Sequence, residues 1–335
     1  MFVSWGASEA TAECVARSLV ESDLTGISSH GVLRIPSYYG FLQNGWLKPC
    51  AEPEVTADAP ASATVDGHWG FGQPAMHRAL DVAIAKSRTQ GVAAIGVIRS
   101  GHVGRLGEYA EKSALAGTIA ILGASGGAGG GLVAPFGGAQ RVLSTNPIAA
   151  GVPAGQHPPF VMDFATSVVA AGKLELAPDK DREIPEGWAL DSEGRPARTP
   201  RAFLEGGALL PFGGHKGYGI SLLVELLCGG LTGAGLSQRP ERLISEGLGG
   251  NAGFVIVIDV AHFINLEEFR ESVDAFFGRL KRVRPALGFD EVMIPGEPEF
   301  QTRCANQNSA FATDEETWGK INDIARKHAV SLENL

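Results

Sequence analysis

The chain has 335 residues, 44% of them hydrophobic, which is enough to bury one large core or two moderate ones. Lys plus Arg number 28 against 37 Asp plus Glu, so the net charge of −9 gives no electrostatic reason to approach nucleic acid or an anionic membrane, and a small-molecule partner is expected. Cys14, Cys50, Cys228 and Cys304 are too dispersed for a disulfide scaffold or a zinc site, which fits a reducing cytoplasm. The opening residues lack a basic segment followed by an apolar one, and no long stretch is free of charges and turn-formers, so neither export nor membrane insertion is expected.

The first predicted element is an amphipathic helix over residues 7–22, capped by Ser8, with Ala12, Val15, Ala16, Leu19 and Val20 on one stripe. SYYGFLQNGWLKP has the spacing of a second helix, and EVTADAP and SATVDG read as two short strands. Residues 73–90 form a further helix. VAAIGVI (92–98) and TIAILGA are buried strands flanking the helix RLGEYAEKSALAG, which ends at Gly117, so this stretch reads as a strand-helix-strand unit. Beyond it, PFVMDFA is strandlike, residues 218–231 make an apolar helix, GFVIVIDV is a strong strand, and helices are expected from Asn265 and after Thr313.

The glycine run GASGGAGGGLVAPFGG invites comparison with a dinucleotide-binding loop, but the match is poor. Only Gly129, Gly131 and Ala134 satisfy G-x-G-x-x-A, and Pro135, Gly137 and Gly138 follow where a helix would have to open toward the pyrophosphate. The acidic residue that would bind the ribose is also absent, because no Asp or Glu occurs from Ala114 through Met162. GGHKGYG is not a P-loop, since Gly217 follows Lys216 in place of Ser or Thr.

Four constellations could carry chemistry. In SSHGVLR, His30 and Arg34 would share a face if the turn is helical; a neutral His takes a hydroxyl proton and a forked Arg holds a carboxylate, with Ser29 orienting the ring. The alternative is a capped turn with a surface arginine. In RSGHVGRLG, His102 stands where a buried strand meets a helix, a place where α/β sheets collect ligands, although SGH also suits a plain turn. LSTNPIA, MDFATS and AAGK form a third group, in which Asp163 either contacts a ligand or caps a helix. In LPFGGHKGYG, His215 and Lys216 precede a long apolar helix whose start suits a pyrophosphate or ribose, against a solvated loop.

Taken in order, SHGVLR, SGHVGRLGEYA, STNPIA, MDFATS, AAGK, IPEGWALD, PFGGHKGYG and MIPGEPE resemble motifs of the type-2 malate/L-lactate dehydrogenase family along nearly the whole chain. That family also includes ureidoglycolate dehydrogenase, 2,3-diketo-L-gulonate reductase and piperideine-2-carboxylate reductase. The resemblance implies an α+β fold with a mixed, largely antiparallel sheet, a non-Rossmann groove for NAD or NADP, and a helical domain completing a homodimer. Residues 1–52 with 166–245 would form the helical, substrate and dimer part, and 53–165 with 246–335 the sheet domain.

The resemblance further implies that His30 is the proton donor or acceptor supported by Ser29, that Arg34 clasps the carboxylate, and that His102 is the acid/base in some members or lines the nicotinamide pocket in others. Thr145 and Lys173 would join Arg34 at the substrate; Thr145, Asn146, Met162, Asp163, Phe164, His215, Lys216, Pro295, Gly296 and Glu297 match cofactor-contacting segments. NAD is the expected cofactor with NADP as alternative, since Arg99, Arg105 and Arg141 could each meet a 2′-phosphate; no metal is expected.

Two departures stand out. Relatives carry a longer N-terminus, which suggests a truncated start. Lys173 lies near the place of an Asp that serves the imine-reducing members, which weighs against imine reduction. The implied reaction is hydride transfer at C2 of a small 2-hydroxy or 2-keto acid. A non-catalytic binder is the rival reading, but both His30 and Arg34 are present; a hydrolase is weaker, for no G-x-S-x-G elbow occurs.

Overall fold

The computed structural model describes residues 1–126, 131–175, 179–237, 250–307 and 314–332. Ser8 caps α1 (Glu9–Leu24), its Oγ accepting from the Thr11 amide at 3.2 Å. The buried stripe differs from the expected one: Val15 and Leu19 are buried together with Thr11, Ser18 and Ser22, whereas Ala16 and Val20 face outward. This face is partly polar because it covers a charged group of a neighbouring helix: Ser18 Oγ donates to Glu108 at 2.6 Å. Two 3₁₀ turns, Ser28–His30 and Val32–Arg34, lead into α2 (Ile35–Gln43), where Pro36 sits in the first turn and costs no helical hydrogen bond.

The hairpin β1 (Glu54–Ala59) and β2 (Ser62–Asp66) opens the main sheet, followed by α3 (Gly72–Gln90), β3 (Val92–Ser100), α4 (Leu106–Leu115), β4 (Thr118–Ser125), β5 (Ile148–Val152), β6 (Phe160–Phe164) and, much later, β9 (Asn251–Asp259). The seven strands lie in the order β1-β2-β3-β9-β4-β5-β6, and only β2 and β3 pair in parallel. The expected strand-helix-strand unit is therefore real but split. β3 and β4 run in the same direction, and β9 lies between them, antiparallel to both. The short strand β5, made largely of small residues, had no signal of its own in the sequence.

One face of this sheet holds the main core, where Met76, Leu80, Leu106 and Tyr109 of α3 and α4 pack on Val65, Ile95, Val97, Leu122 and Val257. Each such side chain contributes about 1.5–3 kcal/mol of transfer free energy, which makes the sheet a rigid platform. The register pairs Ser100 with Asn251, Ser125 with Ala252, and Ile148 with Phe164. The segments leaving β3, β4 and β6, and those entering β5 and β9, thus gather along one edge.

A second cluster forms around α5 (Ala171–Glu175), β7 (Ala189–Leu190), α6 (Pro200–Leu204) and β8 (Ala208–Leu209), with Leu143, Leu174, Phe203 and Leu209 at its centre. The apolar helix expected at 218–231 begins earlier, as α7 (His215–Glu225), and widens into a π-helical turn, Leu226–Leu231. The chain continues with α8 (Leu266–Lys281), capped by Asn265, then α9 (Glu297–Asn306), and α10 (Glu315–Lys327), capped by Asp314. Gly129 of the glycine run lies outside the described residues. A Cβ on Gly131 would strike the Val142 backbone, so this glycine permits a close crossing of two chain segments.

Candidate active site

The SSHGVLR loop is shaped by a carboxylate that sequence reading missed. Asp23, buried near the end of α1, accepts the Val32 amide at 2.8 Å. A Cβ on Gly31 would collide with that carboxylate, so only glycine lets the backbone wrap around it. Burial raises the Asp23 pKa, against the Val32 and Ser28 hydrogen bonds that lower it. The loop thus held brings Ser29 Oγ to 3.0 Å from His30 Nδ1. Arg34 donates from Nε to the Ser29 carbonyl at 2.6 Å, and its terminal nitrogens have no partner among the described residues.

His102 comes from the other side, in the turn after β3. Its ring stacks on His30 with centroids 5.5 Å apart and planes inclined by 25°. Tyr38 of α2 places its hydroxyl 2.9 Å from His102 Nδ1 and itself accepts from Gln73 Nε2 of α3 at 2.9 Å. With one lone pair occupied by the amide, that hydroxyl points its proton at His102. The Gly104 amide also donates to Nδ1, at 3.3 Å. Nδ1 is therefore an acceptor, and the neutral ring carries its proton on Nε2. The turn itself is pinned by Asn251, which accepts the Val103 amide at 3.1 Å and donates to the Ser125 carbonyl at 3.0 Å.

Both rings are held neutral. Burial first, then the charges of Arg34 and Arg105, lowers the His30 pKa from 6.5 to about 4. Burial, Arg34 and His30 push His102 well below its ordinary value. The arrangement offers a proton acceptor at His30, a fixed N–H donor at His102 and an open guanidinium fork at Arg34, all in a half-buried setting.

A family model described as malate/L-lactate dehydrogenase matches residues 1–322. The chain belongs to this family. The malate dehydrogenase of Pyrococcus abyssi is 37% identical over 332 residues, covering 97% of this chain and 90% of that protein. The L-sulfolactate dehydrogenase of Methanothermobacter thermautotrophicus is 34% identical, covering 97% and 92%. Among solved structures, the malate dehydrogenase of Entamoeba histolytica superimposes with a TM-score of 0.93 at 27% identity, covering 99% of this chain and 95% of that one. The fold is thus that of the family, an α+β arrangement, as the motifs implied.

The remaining predicted site residues fall into separate groups. Thr145, Asn146, Phe164, His215 and Lys216 lie together: the Thr145 carbonyl accepts the Thr166 amide at 2.9 Å, Phe164 and Phe212 pack edge to face, and Asn146 Nδ2 donates to the Ser221 carbonyl of α7 at 3.1 Å. His215 and Lys216 are exposed at the start of α7. Asp163 accepts the Gly107 amide at the start of α4 at 2.6 Å, and half-buried Met162 pairs with Ala150. Pro295 bonds through its carbonyl to the Val161 amide at 3.0 Å, and Gly296 lies against Val161. The Glu297 carboxylate is committed to Lys281 and the Ile294 amide, each at 2.8 Å. Lys173 is exposed on α5, and its side chain makes no hydrogen bond or ion pair among the described residues.

Of the three arginines considered for a 2′-phosphate, two are engaged by the protein. Arg99 pairs with Asp66 through Nε at 3.0 Å and through Nη2. Arg141 donates to the carbonyls of Gly207 and Phe203 and lies over the Phe203 ring. Arg105 is buried.

The sheet edge suits a nicotinamide dinucleotide. Two buried polar atoms there, Ser125 Oγ and Asn146 Oδ1, have no hydrogen-bond partner among the described residues, and the Ala124 amide bonded to the Pro147 carbonyl at 3.2 Å keeps their strands side by side. Asn146 also holds φ of +35°, a conformation that asparagine tolerates better than most residues. Asp23, Tyr38, Gln73 and Asn251 carried no local motif; their partners are distant in sequence, and only the fold brings them to the histidines.

Proposed function

We propose that this protein is an NAD(P)-dependent dehydrogenase that moves a hydride between the nicotinamide and C2 of a small 2-hydroxy or 2-keto acid, with NAD as cofactor and NADP as alternative. The observation that carries this reading is the stacked His30–His102 pair facing the unpaired end of Arg34. When bound, the nicotinamide supplies the hydride acceptor at C4. Ser125, Asn146, Phe164, Thr145, His215 and Lys216 would hold it, with Met162, Asp163, Pro295, Gly296 and Glu297 shaping the wall. The engagement of Arg99 and Arg141 elsewhere supports NAD.

In this reading Arg34 grips the C1 carboxylate by two parallel N–H···O bonds. His102 donates from Nε2 to the oxygen on C2 and fixes its orientation. Its Nδ1 already accepts two hydrogen bonds, so it cannot take up a further proton without losing them. This favours His30 over His102 as the acid/base. To gain a proton on Nε2, the neutral His30 ring carries its own proton on Nδ1, and that Nδ1–H donates to Ser29 Oγ both before and after the transfer.

The protein is also proposed to act in the cytoplasm as a homodimer, without nucleic-acid or membrane partners. Supporting the dimer, Leu223, Leu226 and Leu231 are 52%, 55% and 75% exposed, and Val92 and Ile121 are exposed on the sheet. No described helix is long and apolar enough to cross a membrane. The division into residues 1–52 with 166–245 and 53–165 with 246–335 goes with this proposal.

The test is the absorbance of reduced nicotinamide with NAD⁺ or NADP⁺ and a panel of malate, lactate, sulfolactate, ureidoglycolate and sugar acids, with keto acids in reverse. Turnover lost in Arg34→Ala supports the reading. A cofactor that binds with no turnover of any substrate in either direction counts against it.

A further inference from the structure

The N-terminus of α4 holds a buried arginine that the protein itself does not satisfy. Arg105 is only 5% exposed, and its Nε has no hydrogen-bond partner among the described residues. Among the described residues its guanidinium makes no hydrogen bond and no ion pair within 4.0 Å, although Asp163 lies just across Gly107 and binds that residue's amide instead. A buried guanidinium left unpaired is costly, and buried charges are ordinarily paired. Half-buried Arg303, in the same cavity wall, is by contrast paired with Glu111.

Arg105 lines a cavity of about 20 Å³ together with Thr25, Gly296, Glu299 and Arg303. That space suits one small acidic group and is far too small for a nucleotide. Thr25 stands at the end of α1, just ahead of the loop that carries His30. The charge of Arg105 is also felt at His30, where it helps to depress the pKa. Two cations from different elements, Arg34 and Arg105, thus act on His30 electrostatically.

We propose that Arg105 is the subsite for a second acidic group of the substrate, a carboxylate or sulfonate. Resting on the 2-hydroxy acid reading above, this assigns C1 to Arg34, the C2 oxygen to His30 and His102, and the distal anion to Arg105. The amides opening α4 add their partial positive charge to the subsite. The substrate is then a dianionic hydroxy acid a few carbons long, and a monocarboxylate leaves Arg105 unpaired.

The discriminating variant is Arg105→Met, which keeps the volume and removes the charge. With malate its kcat/KM is expected to fall on the order of 10²-fold, with lactate by less than about threefold, while the Kd for NAD⁺ stays unchanged. Arg105→Lys should recover part of the malate activity. Equal losses on malate and lactate would overturn the proposal, and so would a weakened NAD⁺ Kd, which would make Arg105 a cofactor residue.

A binding measurement separates this idea from the reaction itself and needs no variant that might fail to fold. Calorimetry of the wild-type protein with NAD⁺ should show malonate binding at least about tenfold more tightly than acetate, because a second anion gains a second charged partner. Equal affinity overturns the subsite even if the dehydrogenase reading holds. A preference for malonate upholds it even if every hydroxy acid tried proves inert.

Discussion

The rings of His30 and His102 stack 5.5 Å apart, yet their Nδ1 atoms face opposite chemistry: Ser29 offers His30 a hydroxyl that can donate or accept, whereas Tyr38 and Gly104 both donate to His102. Stacking makes the two look equivalent, and the hydrogen bonds make them different. His30→Asn is expected to lower kcat by about 10²–10⁴-fold and to remove the pH dependence of the proton-transfer step. His102→Gln should lower kcat/KM through lost orientation and keep that dependence. Rate–pH profiles of both variants decide the matter; a profile that vanishes with His102 and survives loss of His30 would reverse the assignment.

The depressed pKa of His30 sets the direction of the pH effect. Oxidation requires the neutral ring, so kcat/KM for a hydroxy acid should stay level from neutrality down to about pH 4, the value to which burial, Arg34 and Arg105 lower His30, and fall tenfold per unit below it. Reduction requires the protonated ring and should gain rate as the pH falls toward the same value. Binding of an anion to Arg34 offsets part of the depression, so the kcat limb should lie above the kcat/KM limb. The fold pays a related cost in acid: between pH 6.5 and about 4 the unfolded chain takes up the His30 proton while the folded ring does not, so stability is lost across that window as pH falls. Thermal melts of His30→Asn should show a shallower loss there.

The contact of Asp23 with the Gly31 turn predicts a stability effect at a residue that touches no ligand. Gly31→Ala forces the Asp23 carboxylate away from the Val32 amide, and overpacking of this kind costs about 1–3 kcal/mol. The melting temperature should drop, and KM for the acid should rise as Arg34 shifts with the loop. Asp23→Asn, with Gly31 kept, preserves the shape and much of the hydrogen bond and should leave both nearly unchanged. A Gly31→Ala protein with unchanged melting and KM would show that the loop is held by other contacts.

How much of this was legible in the sequence follows from the range over which each signal acts. Local signals were read well: the Ser8 cap, the helix beginning at Asn265, the strand β3 and the failed Rossmann turn each rest on a few adjacent residues, although β3 alternates between buried and exposed positions where a wholly buried strand was expected. Insertion of β9 between β3 and β4 was not legible, because nothing in GFVIVIDV says which strands it will join. At the candidate site, His30, Arg34 and His102 could be named from the sequence because each sits in a short polar cluster. Tyr38 and Gln73 were not, since each lies within an otherwise ordinary helix and acquires its role only from the other, 35 positions away.

Asn146 offers a test of the cofactor groove that separates binding from folding. It is fully buried, and its Nδ2 donates to Glu225 at 2.9 Å, which leaves Oδ1 unpaired. Asn146→Asp turns the donor into a second carboxylate oxygen facing a buried one, and two such groups cannot both remain ionised at little cost. The melting temperature should fall and the Kd for NADH, followed by its fluorescence, should rise about tenfold or more. Adding Glu225→Gln restores a donor–acceptor pair in reversed order and should recover the melting temperature. Because Asp still places an oxygen where Oδ1 stood, NADH affinity should return along with stability if that oxygen receives a donor from the cofactor. Affinity that never changed in Asn146→Asp would remove Asn146 from the groove.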